Sequence, residues 1–108
     1  MYNTIIVLKA NSWTDSFGNT YHTVQVRYIV NEEHVDSEGH LQSPSDIIMK
    51  SDKKVYGYGS AYRQTAMELL KKYMINIDLF DYHYLKKNKI LLIECVRQVK
   101  KKDLFVFD

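Results

Sequence analysis

Between Thr20 and Val30 the chain alternates without a break. His22, Val24, Val26, Tyr28 and Val30 fall on one side, and Tyr21, Thr23, Gln25, Arg27 and Ile29 on the other. A period of two sends successive side chains to opposite faces of a pleated strand, and a helix cannot use it. The domain is therefore expected to be built around a sheet. Just upstream, Gly18-Asn19 is a turn signal, and Thr4 to Ala10 is an apolar, β-branched run that reads as a strand buried on both faces. The two strands are predicted to form an antiparallel hairpin. Asn11 to Asn19, polar apart from Trp13 and Phe17, is read as the connection.

Residues 31–45 hold Gly39, the one proline (Pro44), four acids and two histidines, and are expected to be a flexible acidic loop with a short extension of the sheet around Val35. Ile47 to Lys50 and Val55 to Gly59 give a third strand region, broken or tightly turned at Ser51-Asp52-Lys53. Tyr62, Ala66, Leu69, Leu70 and Tyr73 then share one helical stripe, with Ser60 as the expected N-cap and Lys71 and Lys72 favourably placed in the last turn. Asn76 is the expected stop. Asp78 to Lys87 reads as a short second helix capped by Asp78 and packing Leu79, Tyr82 and Leu85. Lys89 to Val99 is an apolar strand, Lys100 to Asp103 a turn, and Leu104 to Phe107 a closing strand. The order β-β-β-α-(α)-β-β predicts an α+β domain: an antiparallel sheet of four to five strands with one main helix on one face.

The chain's 108 residues suit a single domain, 1–108, and 45% apolar content supports a packed core. The formal charge of +2 conceals a polarity: residues 1–49 carry two basic against six acidic residues, and residues 50–108 thirteen against seven. A basic half of this kind suits an anionic partner. Cys95, alone in the chain and set in Ile90 to Val96, excludes an internal disulfide and is expected to be a buried thiol. Neither a signal peptide nor a membrane-length apolar run is visible, so a cytoplasmic protein with no membrane contact is expected.

Chemistry-bearing signals are sparse. His22, His34, His40 and His83 match no metal-ligand spacing, and His22, among core valines, reads as a strand-end residue or a satisfied sheet histidine. Asp78 and Asp81 carry no sign of the burial that a carboxylate pair needs. No nucleophile elbow, phosphate-binding loop or dinucleotide fingerprint is present, so neither an enzyme nor a cofactor or metal is expected. The segment Val55-Tyr56-Gly57-Tyr58-Gly59-Ser60, running into the helix, is the one stretch a bland core would not need. Its glycines serve as a sharp strand-to-helix device. Alternatively, Tyr56, Tyr58, Tyr62 and Arg63 form a partner-binding surface, or Gly57, Gly59, Ser60 and Arg63 cradle an anion at the helix start.

The strand order with Gly-x-Gly-Ser leading into a helix resembles the carboxyl part of a double-stranded-RNA-binding domain. At the positions of that family's phosphate-gripping lysines, however, Ser60-Ala61-Tyr62-Arg63 offers only Arg63, and the family's amino-terminal helix has no counterpart. A second set of residues, Gly18-Asn19-Thr20-Tyr21-His22, Tyr56-Gly57-Tyr58-Gly59, Tyr62, Thr65-Ala66 and Leu69-Leu70, resembles small uncharacterised proteins of tailed bacteriophages and prophages over about residues 4–74.

That resemblance implies an accessory protein acting by stoichiometric binding to a host or defence protein, in the host-cell cytoplasm. Two alternatives stand beside it. One is nucleic-acid backbone binding through Arg63, Lys71, Lys72, Lys86, Lys87 and Lys89; the other is a small anionic nucleotide at the Gly59-Ser60 helix start. The apolar C-terminal strands could complete the sheet within one chain or pair across a homodimer.

Overall fold

A computed structural model describes residues 2–31, 34–35, 39, 41–42, 44–57 and 59–107. The chain is α+β, with a mostly antiparallel open sheet, one main helix and a short one. Strand β1 (Thr4–Thr14) and strand β2 (Thr20–Val30) form the expected hairpin, paired from Thr4↔Val30 to Thr14↔Thr20. The first strand runs on through Asn11 and Trp13, which sequence reading had placed in the connection. The actual turn is shorter, and Asp15 closes it by accepting from the backbone N–H groups of Phe17 and Asn19.

Beyond the hairpin, β3 (His34–Val35) and β4 (Leu41–Gln42) pair only with each other as a separate two-stranded sheet among the described residues, so Val35 lies in a strand but not in the expected extension of the main sheet. The remainder of the acidic loop, residues 32–33, 36–38, 40 and 43, lies outside the described residues. Strands β5 (Ser45–Lys50) and β6 (Val55–Tyr56) both run along β2, and the break between them faces Val24. There the Ser51 N–H donates to the Val24 carbonyl, and the Val24 N–H donates to the Ser51 hydroxyl, each at 2.9 Å. The turn thus takes over the hydrogen bonds that a continuous strand would have supplied.

Helix α1 (Ala61–Lys72) lies on the face bearing the even-numbered residues of β1 and β2. Ala66, Leu69 and Leu70 meet Ile6, Leu8, Val24 and Val26 in one buried cluster. Ser60 precedes the helix, but its hydroxyl makes no capping bond. The helix ends at Lys72, before the expected Asn76, and Met74 turns the chain with φ 61°. Helix α2 (Tyr82–Lys87) begins later than the sequence suggested: its cap is Asp81, which accepts from the Tyr84 N–H. Asp78 instead closes a tight turn by accepting from the Phe80 N–H. Of the predicted packing residues Leu79 and Leu85 are buried, whereas Tyr82 is exposed.

Two departures concern the end of the chain. Strand β7 (Ile90–Gln98) pairs with β1 in parallel, from Thr4↔Ile90 to Ser12↔Gln98, so the sheet is not purely antiparallel. Its order is β5-β2-β1-β7, and α1 and α2 carry the chain across one face to the far side of β1. The predicted closing strand, Leu104 to Phe107, is no strand. A 3-10 turn at Lys101–Asp103 leads into a strap whose carbonyls receive side-chain donors from the opposite sheet face. The buried Asn11 amide donates to the carbonyls of Val106 (2.7 Å) and Leu104 (3.2 Å), and the buried Thr23 hydroxyl also donates to Leu104. Arg97 donates to both Asn11 Oδ1 and the Val106 carbonyl. Leu104 is fully enclosed beneath the strap.

Candidate functional site

His22 anchors the turn into α1. Its Nδ1 lies 3.2 Å from the Gly57 carbonyl, which can only accept, so the proton sits on Nδ1. Nε2 therefore accepts from the Thr65 hydroxyl at 2.6 Å. Burial holds the imidazole below its ordinary pKa, partly countered by the bond to Gly57. His22 is thus a satisfied sheet histidine. Gly57 has φ 150°, and a Cβ there would lie 2.9 Å from that of Ala61, so a side chain is barred by both backbone and space. Gly59 has φ 63° with open space around it. These contacts support the structural reading of the Gly-x-Gly element.

The four residues picked as one contact surface separate. Tyr58 lies outside the described residues. Tyr56 is 63% exposed on the sheet face away from α1, edge-on to Tyr21, which stacks on Trp13; both ring pairs are 5.7 Å apart. Lys54 sits over Tyr21 and Trp13 at 4.6 and 5.2 Å, and Lys101 of the strap over Trp13 at 5.5 Å. This aromatic and cationic end is hidden in the sequence, because the polar composition of residues 11–19 marks a connection and masks the strand that carries Trp13.

Tyr62 and Arg63, in contrast, converge on Glu94 of β7. The guanidinium donates to both carboxylate oxygens at 2.8 and 2.7 Å, and the Tyr62 hydroxyl donates at 2.7 Å. Arg63 holds the Glu94 carboxyl below its usual range, and burial together with Glu94 raises the Tyr62 hydroxyl. The Arg63 charge is neutralised here, which weakens its candidacy as the anion or phosphate ligand beside Gly57, Gly59 and Ser60.

From this ion pair a groove of about 660 Å³ runs beside the first half of β7. Leu79, Phe80, Tyr82 and Leu85 form its other wall, and Phe80 lies under the Arg63 guanidinium at 5.6 Å. Lys86 and Lys89 line the groove; Lys71, Lys72 and Lys87 are exposed and do not. Among the described residues, no group of three or more His, Cys, Asp or Glu could hold a metal ion. No helix of the described chain is long and apolar enough to cross a membrane.

The sheet face opposite α1 is the remaining feature. The strap covers its middle, whereas Ile5, Val7, Ile29, Ile48, Leu91 and Ile93 form an aliphatic field to one side, with Ile48 55% and Ile93 45% exposed. Cys95 stands at the margin of that field and is exposed, contrary to expectation. Comparisons with family models, curated proteins and solved structures return no match for this chain.

Proposed function

We propose that this chain is a non-enzymatic binding protein that acts stoichiometrically on a partner protein, through the open face of its sheet. The aliphatic field of Ile5, Val7, Ile29, Ile48, Leu91 and Ile93 is the observation that carries this reading. Half-exposed and exposed apolar side chains share this face with the Arg27–Asp46 ion pair, which lies between Val7 and Ile48, and with Lys9 at its margin, a mixture closer to the composition of a protein contact than to that of a solvated surface. On the resemblance to small phage-encoded proteins, the partner is a host or defence protein and the setting is the host cytoplasm. The test is capture from bacterial lysate at 0.5 M salt by the parent chain and by Ile29→Gln/Ile48→Gln. A partner retained by the parent and lost by the variant is expected; equal capture by both would remove the face from the proposal.

A second reading is favoured by the Trp13, Tyr21 and Tyr56 rings with Lys54 and Lys101, since stacked rings beside lysines suit single-stranded nucleic acid. It predicts binding that weakens steeply with salt, about −0.7 in log–log slope per phosphate contact on a single strand. A flat salt dependence would dismiss it.

A further inference from the structure

Among the described residues, β7 is the last strand of the sheet and pairs with β1 alone. The Val99 N–H donates to Ser12, and the Lys89 carbonyl accepts from Asn3, so the odd-numbered residues of this segment turn their backbone groups toward β1. Both backbone groups of a strand residue point to the same side, and sides alternate. The N–H and C=O groups of Ile90, Leu92, Glu94 and Val96 therefore face the open edge. The groove lies along that edge. Ile90 and Leu92 from one face of the strand and Leu91 from the other all line it, which a pocket confined to either face would not allow. An unpaired edge of this length, not closed by a proline or a bulge, is a template for another strand.

We infer that the β7 edge and the groove beside α2 take up an extended peptide segment by strand addition. The unpaired backbone groups fix the main chain of the occupant as extended, and the walls fix its side chains. Leu79, Leu85 and the exposed rings of Tyr2, Phe80 and Tyr82 select apolar residues at alternate positions. Lys86 and Lys89, which no described carboxylate pairs, select at least one acidic residue. This basic rim also favours an acidic segment over a second copy of the chain, which would bring its own lysines to the same edge. The contact shares Leu91 with the margin of the aliphatic field but none of Ile5, Val7, Ile29 and Ile48, so each can be tested without the other.

The test uses the full chain, isotope-labelled, with a synthetic peptide alternating valine and glutamate. Comparison peptides carry lysine for glutamate, or N-methyl groups on one or the other alternate set of amides. The valine–glutamate peptide is expected to slow amide exchange at Leu92 and Glu94, and the lysine peptide to bind at least ~10-fold more weakly. Methylating one set of amides should abolish binding and methylating the other should spare it, because only one set meets β7. Val96→Pro removes an edge-facing N–H without touching the β1 ladder, so it should weaken binding at least ~10-fold in a folded protein. Equal effects of the two methylated sets would overturn the inference, as would no slowing at millimolar peptide. Edge amides already protected in the free chain, in proportion to protein concentration, would overturn it in favour of a second copy. The Ile29→Gln/Ile48→Gln variant should bind the peptide like the parent, which separates this site from the face.

Discussion

Replacing Arg63 by Met should destabilise the protein by about 2 kcal/mol, a figure that follows from where the ion pair sits. Exposed pairs contribute about 0.2–1 kcal/mol, whereas removing one partner of a fully buried pair costs about 3–5 kcal/mol. The side chains of Arg63 and Glu94 are 30% and 22% exposed, between these limits, and the guanidinium contributes two short bonds. The Tyr62 hydroxyl stays on Glu94 after the substitution, which keeps the cost below the buried limit. Methionine preserves most of the apolar stem, so the loss reports the head group. The assay is urea unfolding followed by the fluorescence of Trp13, the one tryptophan, in a cycle of parent, Arg63→Met, Glu94→Gln and the double variant. A coupling of about 1–1.5 kcal/mol is expected, and a melting temperature lower by roughly 10 °C for Arg63→Met. Because Glu94 is held below its ordinary value of 4.5, the folded state binds its proton less readily than the unfolded state. The pair's contribution should thus be complete above that value and fade as pH falls through the lower, folded one. A coupling under about 0.3 kcal/mol would refute this account of how α1 is fastened to β7.

Three further outcomes are expected. His22, held below 6.5 in the folded state, makes the unfolded chain the stronger proton binder; stability should be level above that value and decline as pH falls below it, and a folded-state value above 6.5 in an NMR titration would contradict the buried, Nδ1-protonated ring. Gly57→Ala should cost about 2–3 kcal/mol through backbone strain and the contact with Ala61, and Gly59→Ala only about 1 kcal/mol; equal losses in denaturant melts would deny the close approach. Cys95 should react fully with a thiol reagent in the native protein, whereas a thiol that reacts only after denaturation would mean the outer face of β7 is covered.

The parts of the fold legible in the sequence were those set by local period. Alternation from Thr20 to Val30 declared both the strand and which side holds His22, and the stripe from Tyr62 to Leu70 declared α1. An apolar run such as Ile90 to Val96 announces a strand but carries no record of its neighbour or direction, so the parallel pairing with β1 was invisible. Leu104 to Phe107 has the composition of a strand, yet the side chains of Asn11 and Thr23 claim the carbonyls of Leu104 and Val106 from 81 to 95 positions away, and Arg97 adds a bond to Val106. No local pattern marks a buried asparagine as the receiver of a distant strap. The same holds for the groove: Phe80, Tyr82 and Lys86 read as ordinary surface residues until α2 is set beside β7. Arg63 was legible as a lone basic residue at a helix start, but its partner Glu94 is separated from it by 31 residues and sits in a strand that looked wholly structural.

The parallel ladder from Thr4↔Ile90 to Ser12↔Gln98 also sets the order of events at the ribosome. The hairpin can close as soon as Val30 has emerged, but one side of β1 then waits until Ile90 to Gln98 have been synthesised. Contacts this distant along the chain form slowly, because loop closure must precede any gain from pairing. During that interval Ile6 and Leu8 sit in a strand with a vacant flank, open to whichever extended segment arrives first. A nascent chain stalled before Ile90 should accordingly be a better substrate for a chaperone than the finished protein.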